Sequence, residues 1–136
     1  MRFILFFMIC SCSLNSIAQN NEATDSLIVK LNSNIYLEHV PNDSTDGYFK
    51  RIDSIIGKTK AIRIKLTAKA AMGSVLEIFN PYDVPFVYKA FIYNFKKKKY
   101  LEASVYPVQP KMGVRETWPF PIENLFIKQI KLETEK

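Results

Sequence analysis

His39 is the only histidine in the 136-residue chain, so general-base chemistry has a single imidazole to draw on and a His-rich metal site cannot be assembled. No serine lies in a G-x-S-x-G elbow, which leaves a Ser-His-Asp arrangement around His39 without a motif; His39 reads as a plain surface or packing residue at a strand edge. Gly57-Lys58-Thr59 copies the end of a phosphate-cradling loop, but Ile52 stands where that loop needs its first glycine. Asn42, Ser44, Asp46, Gly47 and Asp53 follow the spacing of an EF-hand calcium loop. There Asn42 replaces the leading acid, Lys50 brings a positive charge into the loop, and Pro41 disfavours an entering helix. The segment is therefore expected to be an Asx-type turn or a cap, without tight calcium binding. Asp83 and Glu102 are a carboxylate pair of the kind glycoside hydrolysis uses, with nothing in the sequence to set their separation. These residues assign no catalytic group, no metal site and no cofactor.

The address of the chain is more legible than its chemistry. Met1-Arg2, an apolar run from Phe3 to Cys10 and the small-residue exit Ser16-Ile17-Ala18 read as a secretory signal peptide over 1–18, with Gln19 as the first mature residue. The apolar run is shorter than the roughly 20 residues a spanning helix needs. A second reading makes Cys12 an acylated lipoprotein cysteine, which would tether the protein to a membrane surface. Cys10 and Cys12 are the only two cysteines, so a chain processed at Ala18 has no disulfide and must be held by its core. Residues 19–26 are polar and aperiodic, a flexible leader, and 27–136 has the size of one domain. The formal net charge of +6 leans on Lys96-Lys97-Lys98-Lys99. In an exported protein that run reads as a solvated hairpin loop, and nucleic acid is not expected as a partner.

Periodicity then gives the elements. Short β-prone runs at 27–31 and 35–40 end at Pro41-Asn42-Asp43. Asp46 is placed to cap a short helix over 47–56, with Phe49, Ile52, Ile55 and Ile56 on one face and Gly57 ending it. Ile62, Ile64, Leu66 and Ala68 alternate with Arg63, Lys65 and Thr67, the pattern of a half-buried strand. Further strands are expected at 75–80, 85–95, 100–106, 114–118 and 125–132, separated by turn residues. The fold class that follows is all-β, an antiparallel two-sheet sandwich.

The long hairpin makes the sharpest statement. A four-residue loop at Lys96 to Lys99 would put Phe95 opposite Tyr100 and send Ala90, Ile92, Leu101, Ala103 and Val105 to the uncharged inner face. Phe91, Tyr93, Phe95, Tyr100 and Tyr106 would then share one outer surface, flanked by Lys89 and Glu102. Exposed aromatic area of that extent marks a contact surface unless other elements fold over it. With the prolyl loop around Trp118, these six aromatics are the candidate binding face.

Leu76-Glu77-Ile78-Phe79-Asn80-Pro81, followed by Pro85-Phe86-Val87-Tyr88-Lys89-Ala90, resembles an immunoglobulin-like domain in which an Asn-Pro turn links two strands. Tyr106-Pro107-Val108-Gln109-Pro110 and Glu116-Thr117-Trp118-Pro119 resemble segments of small exported bacterial proteins of that architecture without assigned activity. The resemblance implies architecture and no function. The function expected is a non-catalytic secreted or periplasmic binding or accessory module that recognises an envelope or extracellular protein or a glycan. The alternatives are a small carboxylate-dependent hydrolase and a self-associating envelope protein that forms a homodimer through the same face. Contact with a membrane is expected only through a lipidated Cys12.

Overall fold

The computed structural model describes residues 23–134 except 44 and 72, and for Thr45 the backbone alone. The expected signal segment 1–18 and most of the leader lie outside the described residues. Nine strands follow in order: β1 (Ser26–Lys30), β2 (Ser33–Asn42), β3 (Thr45–Ile52), β4 (Ile62–Lys69), β5 (Gly73–Phe79), β6 (Phe86–Asn94), β7 (Lys99–Ala103), β8 (Gly113–Trp118) and β9 (Asn124–Leu132). They form two antiparallel sheets, a four-stranded one in the order β1-β9-β6-β7 and a five-stranded one in the order β3-β2-β4-β5-β8. The architecture is a β-sandwich.

Alternation explains why these segments pair as they do. In β4, Ile62, Ile64 and Leu66 are fully buried while Arg63 and Lys65 face solvent. Ile35 and Leu37 of β2 and Leu76 and Ile78 of β5 meet them from one sheet; Leu27, Val29, Phe86, Ala90, Leu125 and Ile127 close the core from the other. The face of β9 changes phase partway. Leu125 and Ile127 point inward, then Gln129 takes a left-handed φ of 53° where the pairing with β6 shifts register. This bulge returns Ile130, three residues after Ile127, to the core.

The helix expected over 47–56 is replaced by β3, which pairs with β2 as an edge strand. Phe49 alone of the expected helical face is buried; Ile55 and Ile56 are exposed in the loop beyond the strand. An edge strand buries one side sparsely, so its apolar spacing imitates a helical stripe. Gly47 has φ +80°, and a Cβ there would meet the His39 ring at 2.6 Å, so this position is a β-hairpin contact and not a helix start. The leader expected over 19–26 is tied down at its end, since the Thr24 N–H donates to the Phe49 carbonyl at 2.6 Å and Ser26 already belongs to β1.

The two ends of the sandwich are built differently. At one, Asn80 is fully buried and its amide donates to the carbonyls of Val84 at 2.9 Å and Val108 at 3.0 Å. Its side-chain oxygen accepts the Tyr82 N–H at 3.0 Å and its backbone N–H reaches the Met112 carbonyl. One side chain thus ties the 81–85 turn to the 105–112 crossover, which Val108 completes by bridging Phe86. The opposite end carries the tip of the β6–β7 hairpin and the 119–123 loop, and it is there that the candidate face lies.

Candidate functional site

Asn94 decides the hairpin's register. Its side-chain oxygen accepts the Lys97 N–H at 2.8 Å, so the turn closes over Phe95, Lys96, Lys97 and Lys98, with Lys98 at φ 51°. Tyr93 therefore stands opposite Tyr100 and Asn94 opposite Lys99, where Phe95 opposite Tyr100 was expected. The correction is a shift of two residues. Because side chains alternate with period two, every residue of the hairpin keeps the face assigned to it.

Across the four-stranded sheet the outward row runs Ile28, Phe126, Phe91, Glu102, and beside it Tyr93 pairs with Tyr100. The rings form one connected group. Phe126 lies 6.4 Å from Phe91 and 5.8 Å from Tyr100, Tyr100 lies 5.3 Å from Tyr93, and Tyr93 lies 5.1 Å from Phe95. The Lys128 ammonium sits over this group, 4.6 Å from the Phe126 ring centre and 5.5 Å from that of Phe91. Phe95 is 76% exposed, Tyr100 43% and Tyr93 36%, while Phe91 and Phe126 are half-buried under their neighbours. Lys89 and Glu102 flank the rings as a 3.7 Å ion pair.

Two of the six expected residues fall elsewhere. Tyr106 lies beyond β7; it is exposed, and its N–H points to the Glu116 carboxylate at 3.4 Å. Trp118 is on the inward face of β8, half-buried against the core. Phe126 completes the ring group and was missed, because its place depends on the pairing of β9 with β6, two strands separated in sequence by the whole of 95–123. A signal was available in the outward phase of Phe126 between the inward Leu125 and Ile127.

Trp118 still reaches the neighbourhood from beneath. Together with Phe120 it faces the inner side of the hairpin at Ile92, Leu101 and Ala103, and the space between is a cleft of about 560 Å³. A second depression of about 580 Å³ adjoins it, bounded by Tyr93, Phe95 and Tyr100 on one side and by 120–124 on the other. Ser74 shapes the wall. Its hydroxyl donates to the Phe120 carbonyl at 3.0 Å and accepts the Ile122 N–H at 2.7 Å. Gly73 next to it has φ +74°, and a Cβ there would overlap the Trp118 carbonyl oxygen, so the loop can lie this close only against glycine.

The residues weighed for chemistry are dispersed. His39 Nε2 bonds the Asp46 carbonyl at 2.9 Å, and its ring packs edge-on against Phe49 and Tyr82. Asp46 and Asp53 flank the length of β3, roughly 23 Å apart at strand rise, so they do not converge on one ion. Asp83 pairs with Lys111 and Lys60, Glu102 with Lys89. The Lys111 ammonium, with help from Lys60, holds the Asp83 carboxyl below the usual aspartate range, so it is ionised at neutral pH and has no proton to donate to a leaving group. Gly57-Lys58-Thr59 lies in the loop between β3 and β4, with no helix following it to receive a phosphate. Tyr88 is buried with no hydrogen-bond partner for its hydroxyl, and burial pushes its pKa up, which keeps it a neutral core group. Among the described residues, no group of three or more His, Cys, Asp or Glu converges on one point, and no helix is long and apolar enough to cross a membrane.

Comparison of the chain with protein-family models, with curated proteins and with solved structures finds no match.

Proposed function

We propose that this protein is a non-catalytic binding module, secreted or periplasmic, that engages a protein partner through the aromatic outer face of its four-stranded sheet and the cleft beside it. One observation carries the reading: the exposed Tyr93, Phe95 and Tyr100 rings border an apolar cleft under the same hairpin, so a flat contact area and an anchoring pocket are contiguous. A protein fits this pairing better than a glycan. Tyr93 meets Phe95 at 86° and Tyr100 at 67°, so the group offers ring edges as well as faces, whereas a sugar platform needs a ring face laid open. The cleft's lining of Ile92, Leu101, Ala103, Trp118 and Phe120 suits an apolar side chain of a partner. The polar rim is present in Lys96, Glu102 and Lys128.

The experiment is capture from envelope extract with the wild-type protein and with Phe95→Ser and Tyr100→Ser variants, whose unfolding midpoints are measured alongside. A protein held by wild type and lost from both variants, with unchanged midpoints, supports the reading. Retention by the variants overturns it, as does capture of a glycan alone; concentration-dependent dimerisation abolished by the same changes replaces the foreign partner with a second copy.

A further inference from the structure

The opposite outer surface, that of the five-stranded sheet, is of another kind. Its strand pairing sets out two rows: Tyr36, Arg63, Phe79 and Gly113 in one, Asn34, Lys65, Glu77 and Arg115 in the next. Arg63, Lys65, Lys69 and Arg115 are all exposed there with Glu77 beside them, and Glu38, further along the face, is taken up by Lys50 at 3.0 Å. Arg115 takes Glu77 in a 2.5 Å ion pair, whereas Arg63, Lys65 and Lys69 have no ion pair among the described residues. The positive charge of this face is therefore largely uncompensated.

An aromatic ring lies in the middle of that charge. Phe79 is 40% exposed, with the Arg63 guanidinium 6.0 Å from its centre on one side and Gly113, which has no side chain to cover it, on the other. Arg63 and Lys65 on β4 are separated from Arg115 on β8 by two strand spacings, about 10 Å. Between the two columns is a depression of about 490 Å³ with Phe79 and Gly113 in its lining.

We propose that this face is a binding site for an acidic polysaccharide, whose sugar ring packs on Phe79 while its acid groups meet Arg63 and Lys65 on one side and Arg115 on the other. The C–H face of a pyranose matches the negative face of an aromatic ring, and guanidinium groups grip carboxylates and sulfates through paired hydrogen bonds. Single-stranded nucleic acid would call for adjoining rings to stack successive bases, and here Arg63 stands between Tyr36 and Phe79. A bilayer is flat, so it would leave a recessed ring unused. The site lies on the other sheet from the proposed protein-binding face, and neither proposal depends on the other.

Calorimetry with polygalacturonate is the test, with neutral dextran, oligo-dT and vesicles containing phosphatidylglycerol as the other probes. Polygalacturonate should bind and dextran should not, with affinity falling about tenfold or more as salt is raised from low to physiological strength. Arg63→Ala with Lys65→Ala should lose most of the binding. Phe79→Ala should weaken it even in high salt, and Glu77→Gln should tighten it by removing the competing carboxylate. Unfolding midpoints of the variants show whether the sheet is intact, and Lys131→Ala, which removes an exposed charge from the other sheet, should leave polygalacturonate binding unchanged. Absence of polygalacturonate binding overturns the proposal. Oligo-dT or vesicles bound as tightly and with the same indifference to Phe79→Ala would overturn it too, since the face would then be only a charged surface.

Discussion

The two ends of the sandwich are assembled from the same strands, yet one is closed by a polar side chain and the other is left open by apolar ones. At the closed end, the buried amide of Asn80 satisfies backbone groups of two separate segments, the 81–85 turn and the 105–112 crossover, so loops that would otherwise stand apart share one anchor. At the open end, the β6–β7 turn is held by a side-chain bond from Asn94, and Tyr93, Phe95 and Tyr100 stand around a cleft that is open among the described residues. Fixing one end frees the other to present unsatisfied apolar surface without unravelling the sheets. In the proposed reading, stability and binding fall to opposite ends of one fold.

The strongest way to break this comparison is Asn80→Ala. It leaves the Val84 carbonyl and the Tyr82 N–H without this partner and the Val108 carbonyl with the Phe86 N–H alone, and the expected loss is about 3 kcal/mol. Urea unfolding measures it directly. A loss below about 1 kcal/mol would mean that water enters and replaces the amide, and the closed end would not be closed. The effect belongs to stability alone, so capture of a partner at the far end should persist wherever the variant is folded.

A paired substitution on one strand sharpens the other half of the comparison. Ile92 points inward at the open end and is half-buried against the core, and the adjacent Tyr93 points outward. Ile92→Ala should cost about 2 kcal/mol, toward the low end for a core truncation because its surroundings already open into the cleft. Tyr93→Ser should cost less than about 1 kcal/mol and act on binding instead. Equal destabilisation by the two in denaturant unfolding would make the aromatic face part of the core and remove the basis of the proposed function.

What the sequence disclosed follows the same division. Where both neighbours of a strand are paired and one face is buried, alternation is strong, and β4 could be read residue by residue from Ile62, Ile64 and Leu66. Edge strands are weaker informants. In β3 only Phe49 is driven inward, and Phe49, Ile52, Ile55 and Ile56 fall at helical spacing by accident of a strand running into a loop. The hairpin faces were legible and its register was not, because the register depends on Asn94 capping the turn, which moves the pairing by two residues without disturbing the alternation. Phe126 and Trp118 were misjudged for a non-local reason. Which ring lies beside which is fixed by β9 crossing to β6 and by β8 joining the other sheet, facts of topology that no local pattern carries.

The smallest effect comes from the charges at the closed end, and it separates the work of Asn80 from that of the surface around it. Asp83 sits 3.1 Å from the Lys111 ammonium and 3.8 Å from that of Lys60, and Lys111 also donates to the Pro81 carbonyl at 2.6 Å. Hydrogen bonding and charge from Lys111, with Lys60 behind, hold the folded carboxyl below the usual aspartate value. A depressed folded pKa means that the stabilisation is present above the unfolded value and is lost as pH falls through the folded one. Since the carboxyl is fully exposed, solvent and salt screen the interaction and the contribution to folding is slight. NMR titration should find Asp83 with a midpoint below that of an ordinary aspartate, and Lys111→Ala should move the midpoint up most of the way. Asp83→Asn should differ from wild type in stability by a small margin at neutral pH that vanishes in acid. A midpoint at or above the usual value would show that the lysines swing free, and the closed end would then owe its rigidity to the buried amide alone.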